Sequence, residues 1–251
     1  MRLPDFKAGA ARRMRLLRRW LKNYLLAWQN APTLHCIGDS HMRVMEYVEA
    51  NGLLPGTRLE FCIVDGATIT GLPNPNSKTQ AGPIIIRYLQ TVKPSDYIML
   101  CFGEVDCGYL IWYRSQKYNE SIDKHLDLAA ANYFDLVRRM LERAPKHVIV
   151  CSVPPPTISD NSSWGEVANA RKEVVASQIE RTILTGRFNK MLSEFCEAHG
   201  VSFLDLDPYL LDEQTGVVSD RYMNSDPLDH HLDNRMYGNV VASQLAALGF
   251  R

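Results

Sequence analysis

Short, nearly continuous apolar runs alternate along this chain with longer stretches in which apolar and polar positions follow a helical period. Such short runs are typical of parallel strands that are buried on both faces. Five are present: Thr33–Gly38, Leu59–Val64, Asp96–Phe102, His147–Val153 and Val201–Leu206. The helical period predicts helices over His41–Ala50, Thr79–Thr91, Ser121–Glu142, Glu166–Ala198 and Asn234–Leu248. The alternation predicts an α/β fold, a three-layer α/β/α sandwich around a five-stranded parallel doubly wound (flavodoxin-like) sheet.

A separate helical pattern covers the first 30 residues. Apolar side chains recur there at steps of three and four, and residues 2–22 carry eight lysines and arginines against a single acid. Two interpretations remain open, a helix packed across the domain with its arginines in solvent, or a surface helix that contacts anionic lipid or a partner protein. We therefore divide the chain into a basic amphipathic helix, 1–30, and an α/β domain, 31–251.

Composition narrows the class of protein. The apolar content of 46% is sufficient for a large core in 251 residues, and the zero net charge gives no indication of a nucleic-acid partner. Six cysteines without a C-x-x-C pair are expected to be reduced thiols in a reducing compartment. No apolar run has the length of a membrane span, and the N-terminus lacks a signal-peptide cleavage site. The expected location is cytoplasmic, with the N-terminal helix as a candidate for peripheral membrane contact.

The end of the first strand offers a candidate nucleophile. Parallel sheets of this kind bind ligands beyond the carboxyl ends of their strands, and the first strand ends in Gly38-Asp39-Ser40-His41. Ser40 could simply cap the following helix. A serine at a strand-to-helix turn, however, exposes its hydroxyl at the carboxyl edge and points its backbone N–H toward a bound anion, as acyl transfer requires.

A serine nucleophile needs a base. Two histidines and three carboxylates lie within eight residues near the C-terminus, in the segment Asp226-Pro227-Leu228-Asp229-His230-His231-Leu232-Asp233. General-base chemistry, metal ligation and plain turn or cap roles are all compatible with this cluster.

Together these motifs resemble the SGNH (GDSL-type) hydrolase family over about residues 33–248. Gly66, in Val64-Asp65-Gly66-Ala67-Thr68, matches the family's glycine that donates a backbone N–H to the oxyanion. Gly103-Glu104-Val105-Asp106 stands where the family usually has Gly-x-Asn-Asp. The Gly-Glu-Val-Asp form is similar to a divergent bacterial subgroup seen in glycan-related proteins.

The resemblance implies catalytic roles for individual residues. Ser40 would attack an ester carbonyl, and the N–H groups of Ser40 and Gly66 would stabilise the oxyanion. The family's histidine usually precedes a leucine, which selects His231 over His230. The family's aspartate lies three residues before that histidine, where this chain has Leu228, so the orienting acid is assigned to Asp229, with Asp226 in reserve.

The second departure from the family pattern is Val105, which replaces the asparagine that serves as a third oxyanion donor. Asn74 and Asn76 in the neighbouring loop are candidate substitutes. The leading hypothesis is a serine esterase that removes acyl groups, acetyl included, from a carbohydrate or related ester without a cofactor. An O-acyltransferase acting on a surface glycan, and a catalytically weak binding protein with the same fold, remain alternatives.

Overall fold

The computed structural model describes residues 21–22, 24–26, 33–144, 147–160 and 174–251. Most of the helix predicted over 1–30, and with it the proposed lipid or partner contact, lies outside these residues. The described positions between 21 and 26 are helical. Leu26 is buried there, and Lys22 Nζ donates a hydrogen bond to the backbone carbonyl of Leu54 at 3.2 Å.

A five-stranded sheet forms the centre of the domain. Its strands are β1 Thr33–Gly38, β2 Arg58–Ile63, β3 Tyr97–Cys101, β4 Val148–Cys151 and β5 Ser202–Leu204. They lie in the order β2-β1-β3-β4-β5, and every neighbouring pair is parallel. This confirms the predicted flavodoxin-like sheet. The strand order reverses between β1 and β3, so the crevice for a ligand is expected beyond the carboxyl ends of these two strands.

Seven α-helices are present in the described part of the chain after residue 33: α1 Val44–Ala50, α2 Ala81–Leu89, α3 Ile111–Tyr118, α4 Ile122–Arg143, α5 Gln178–His199, α6 Asp207–Leu210 and α7 Asn234–Ala247. Single turns of 3-10 helix occur at Ser40–Arg43, Ile69–Gly71 and Asp220–Tyr222, and a turn of π-helix occurs at Asp106–Leu110.

Three helices depart from the sequence prediction. Helices α3 and α6 were not predicted, and α5 begins at Gln178, whereas the pattern predicted a start at Glu166. The physical reason for the late start is a capping box, in which the Ser177 hydroxyl accepts the N–H of Glu180 and the Glu180 carboxylate accepts the N–H of Ser177. Residues 166–173 lie outside the described part of the chain.

Alternating side chains of each strand enter two separate cores. In β1, Ile37 packs into a core with α2, α4 and α5, whereas its neighbour Cys36 packs into a core with α1 and α7. Leu100 and Met99 of β3 divide in the same way. The sheet is therefore covered by helices on both faces, which is the three-layer sandwich expected from the pattern.

All six cysteines are buried and none forms a disulfide, in agreement with the expectation of free thiols. Among the helices in the described ranges, none combines the length and the apolar character needed to cross a lipid bilayer.

Gly38 allows β1 to end in close contact with β3. A Cβ at this position would lie 2.5 Å from the carbonyl oxygen of Cys101 and 2.7 Å from Cβ of Met42. Both distances are shorter than real Cβ contacts, so any side chain would push the turn after β1 away from the sheet.

We expect Gly38→Ala to lower the free energy of unfolding by about 1–3 kcal/mol, because the added methyl group overpacks the junction of two strands. Urea unfolding followed by circular dichroism measures this effect. The matched control is Gly186→Ala in α5, where a Cβ would have no neighbour within 4 Å. That control should be stabilised by about 0.5–1 kcal/mol because alanine favours helix. Equal stability of the two variants would contradict the steric argument.

Candidate active site

Ser40 lies at the carboxyl end of β1, where the chain turns into the helix Ser40–Arg43. The Asp39 carboxylate caps this turn, because its Oδ1 accepts the backbone N–H of His41 at 2.9 Å and lies 3.1 Å from His41 Nδ1. The backbone N–H of Asp39 donates to the carbonyl of Cys101 at 3.3 Å. The turn is thereby tied to β3, across the point where the strand order reverses.

The segment before α7 meets this turn. His231 Nε2 lies 2.8 Å from Ser40 Oγ, although the two residues are 191 positions apart. On the other side of the ring, Nδ1 lies 2.6 Å from Asp229 Oδ1, which also accepts the backbone N–H of His231 at 2.9 Å. Hydroxyl, imidazole and carboxylate therefore form one continuous hydrogen-bonded chain, the geometry in which an acid orients a general base toward a nucleophile.

Asp229, and not Asp226, faces the histidine. Asn224 Nδ2 donates to Asp229 Oδ2 at 2.9 Å and holds the carboxylate in place. Partial burial disfavours the ionised carboxylate, but hydrogen bonds from the backbone N–H and the ring of His231 outweigh it and keep the pKa of Asp229 below its ordinary value. Asp226 Oδ1 instead accepts the N–H of Leu228 at 2.9 Å, within its own turn.

The loop after β4 supports the histidine segment. The Thr157 hydroxyl donates a hydrogen bond to the backbone carbonyl of His230. The start of this loop is held by Asn189 of α5, whose amide accepts the N–H of Val153 at 2.8 Å and donates to its carbonyl at 3.1 Å. The position of the histidines therefore depends on two elements far from them in sequence.

Gly66 lies in the turn after β2 with a φ of 68°, a left-handed conformation that glycine adopts without strain. The preceding residue, Asp65, accepts two hydrogen bonds from the Arg43 guanidinium at 2.7 and 3.0 Å, which joins this turn to the helix that begins at Ser40. Within the described part of the chain, the backbone N–H groups of Ser40 and Gly66 have no hydrogen-bond acceptor. The role of these two N–H groups as oxyanion donors stays a prediction.

Asp106 anchors the chain beyond Gly66. Its buried carboxylate accepts the backbone N–H groups of Ile69 and Thr70 at 2.7 and 3.1 Å, and the Thr70 hydroxyl at 2.9 Å. Burial raises the pKa of Asp106 to about 6, although these three hydrogen bonds oppose the shift. The last residue of the Gly-Glu-Val-Asp motif thus positions the loop that carries Gly66.

The prediction that Asn74 or Asn76 supplies a third oxyanion donor stays a prediction. Val105 is half-buried and has no donor group in its side chain. Asn74 Oδ1 accepts the N–H of Asn76 at 2.9 Å within an exposed turn, and within the described ranges neither amide side chain hydrogen-bonds to Ser40 or Gly66.

Sequence reasoning missed two buried residues beside the nucleophile. His41 packs against His231 with ring centroids 4.7 Å apart, and its Nε2 lies 3.8 Å from the carboxylate of Glu104. The available signals were the position of His41 directly after Ser40 and that of Glu104 directly after the glycine that follows the third apolar run. The contact between His41 and Glu104 joins two strand ends and could not be derived from spacing.

Solved structures of other proteins share this fold. A carbohydrate acetylesterase from Sinorhizobium meliloti matches with a TM-score of 0.57 at 16% identity, over 86% of this chain and 99% of its own. A GDSL-like lipase from Bacteroides thetaiotaomicron matches with a TM-score of 0.52 at 13% identity, over 92% and 95%. An extracellular lipase from Streptomyces rimosus matches with a TM-score of 0.52 at 14% identity, over 86% and 99%.

At these identities the likeness shows the fold alone. The chain has the fold of the SGNH (GDSL-type) hydrolases, as its motifs implied. No protein-family model and no curated protein matches the sequence.

We expect the stability of the protein to depend on pH through Asp106. Because burial raises the pKa of this carboxyl group from its ordinary value of 3.8 to about 6, the folded state binds the proton more tightly than the unfolded state. The resulting stabilisation is fully present below the unfolded pKa and is lost as the pH rises through about 6. Between pH 7 and pH 5 the wild type should gain roughly 1 kcal/mol relative to Asp106→Asn. Urea unfolding of both proteins at each pH measures the difference, and parallel pH curves would contradict it.

Proposed function

We propose that this protein is a serine esterase that removes acetyl or other small acyl groups from a carbohydrate through an acyl-enzyme on Ser40. The observation that carries the proposal is the unbroken chain of hydrogen bonds from Ser40 Oγ through His231 to Asp229, at 2.8 and 2.6 Å. The alternative role of Ser40, capping the following helix, does not require an oriented imidazole that is hydrogen-bonded to the serine hydroxyl.

The proposed reaction uses only the chain's own residues. Ser40 Oγ attacks the ester carbonyl carbon while His231 Nε2 takes the hydroxyl proton, and the N–H groups of Ser40 and Gly66 bind the oxyanion. Collapse of this intermediate breaks the bond to the sugar oxygen, which leaves with the proton from His231. A water molecule, deprotonated by the same imidazole, then attacks the acyl-enzyme. The bond between the acyl carbon and Ser40 Oγ breaks, Oγ takes the proton back from His231, and the carboxylic acid leaves.

A small acyl group on a large polar substrate fits the exposure of the site. The side chains of His231 and Asp229 are 27% and 39% exposed, so these groups lie at the surface rather than in a deep apolar tunnel. Tyr109 and Tyr113 stack on each other, with ring centroids 5.6 Å apart, on the segment that follows the end of β3. Aromatic rings that follow a strand end can pack against a sugar, and one structural neighbour is a carbohydrate acetylesterase.

Val105 supports a catalytically weak binding protein with this fold as the second candidate, beside the acyltransferase that would use the same acyl-enzyme. An oxyanion site with one donor fewer loses transition-state stabilisation, and loss of a single donor can cost about 10²–10³ in kcat. Labelling of Ser40 by a fluorophosphonate with turnover only when a glycan acceptor is added would favour the transferase. No labelling and no turnover would favour the binding protein.

We expect wild type to hydrolyse p-nitrophenyl acetate and Ser40→Ala to lose at least about 10³-fold in kcat/KM, because the nucleophile is gone. Asp229→Asn should lose about 10²–10⁴-fold, since the amide no longer holds the correct tautomer of His231. The matched control is Asp226→Asn, which changes a nearby acid whose carboxylate serves only its own turn. Equal rates for wild type and Ser40→Ala, or an equal loss in both aspartate variants, would contradict the proposed roles.

We expect Val105→Asn to raise kcat about tenfold or more with a smaller change in KM, because an amide donor restored to this position acts on the oxyanion and not on the bound ester. The measurement is steady-state hydrolysis of p-nitrophenyl acetate. The control is Val105→Leu, which keeps the position apolar and should not raise kcat. An unchanged kcat in Val105→Asn would show that residue 105 does not face the oxyanion.

A further inference from the structure

Three imidazoles meet at the turn after β1. His41, His230 and His231 each offer one ring nitrogen, and these nitrogens all lie within 4.8 Å of one another. The ring centroids of His230 and His231 are 4.2 Å apart, and those of His41 and His230 are 5.9 Å apart. The proposed esterase uses His231 alone as its base, so the other two imidazoles are not explained by that reaction.

Two of the three rings are held as metal-ligating histidines are. The Nδ1 atom of each ring lies within hydrogen-bond distance of a carboxylate. His231 Nδ1 is 2.6 Å from Asp229 Oδ1, and His41 Nδ1 is 3.1 Å from Asp39 Oδ1. A carboxylate on Nδ1 fixes the tautomer in which Nε2 carries the lone pair, and it makes that nitrogen a better ligand. Glu104, with its carboxylate 3.8 Å from His41 Nε2, adds negative charge to the same place.

The distances require only a small rearrangement. Zinc binds histidine nitrogen at about 2.0–2.1 Å, so two nitrogens on one tetrahedral ion are about 3.4 Å apart. The widest nitrogen–nitrogen distance in the cluster must therefore shorten by at most about 1.4 Å. The side chain of His230 lies partly in solvent, and rotation of its ring can supply part of this movement. Ser40 Oγ, 2.8 Å from His231 Nε2, or a water molecule would complete a four-coordinate shell.

We infer that a divalent transition-metal ion of the zinc class binds reversibly to His41, His230 and His231. Imidazole ligands suit Zn²⁺, Cu²⁺ and Ni²⁺, whereas Mg²⁺ and Ca²⁺ prefer oxygen. The bound ion occupies the Nε2 of His231 that faces Ser40, so the imidazole can no longer accept the serine proton. The site is then an inhibitory one. The inhibition rests on the proposed esterase function, but the binding of the ion does not.

Calorimetric titration of the full, chelator-treated chain with Zn²⁺ tests the binding. We expect one ion per wild-type chain, and affinity weakened by at least about tenfold in His230→Ala and in His231→Ala, since each variant removes one ligand. Ser40→Ala should still bind. The matched control is His199→Gln at the exposed end of α5, which removes an imidazole outside the cluster and should bind as wild type does. Mg²⁺ should give no binding.

The second measurement is p-nitrophenyl acetate hydrolysis, with each rate in Zn²⁺ expressed relative to the same protein's rate in chelator. Wild type should be inhibited, and added chelator should restore its rate. His230→Ala should need at least about tenfold more Zn²⁺ for the same inhibition. This comparison is independent of any change that the substitution makes to the rate without metal.

Equal Zn²⁺ affinity in wild type, His230→Ala and His231→Ala would overturn the site. Stoichiometric binding to wild type without inhibition would overturn its inhibitory role. If wild type has no esterase activity, the proposed function fails, and the titrations of His231→Ala and Ser40→Ala still decide whether the ion binds the proposed base.

Discussion

The hydrogen bond between Ser40 Oγ and His231 Nε2 requires that two distant parts of the chain meet at one edge of the sheet. One part is the turn after β1, and the other is the segment before α7. Gly38 lets the first part lie directly against β3, because no Cβ separates the two backbones. The second part is held by the Thr157 hydroxyl on the His230 carbonyl. The chemistry proposed for the site therefore depends on packing at a distance from the reacting atoms.

Much of the fold was predictable because its strands are buried on both faces. Continuous apolar runs marked all five strands, and the first was predicted with its observed bounds, Thr33–Gly38. The start of α5 was misplaced, since the apolar period continues upstream of the capping box of Ser177 and Glu180. The hydrogen bonds of the capping box fix the residue at which this helix begins, and hydrophobic periodicity does not reveal that residue. The predicted N-terminal helix stays a prediction, because most of it falls outside the described residues.

The candidate site was accessible from the sequence only where a local motif marked it. Ser40, Gly66 and His231 stand in recognisable positions, and the choice of Asp229 over Asp226 agrees with the contact that Asp229 makes. The pairing of His41 with Glu104 joins the ends of β1 and β3, and no local pattern encodes such a contact. The likeness to solved esterases supplies the fold, while the chemistry has to be argued from these side chains.

Base and orienting acid both belong to one short stretch of chain, since Asp229 and His231 are two residues apart. Any fluctuation that detaches this stretch from the turn after β1 removes both groups together and leaves the sheet intact. Such partial openings require less free energy than global unfolding. Heating would then abolish the proposed activity while the secondary structure persists. The lifetime of the assembled site would be governed by how firmly this stretch of chain is anchored, and not by the stability of the two cores.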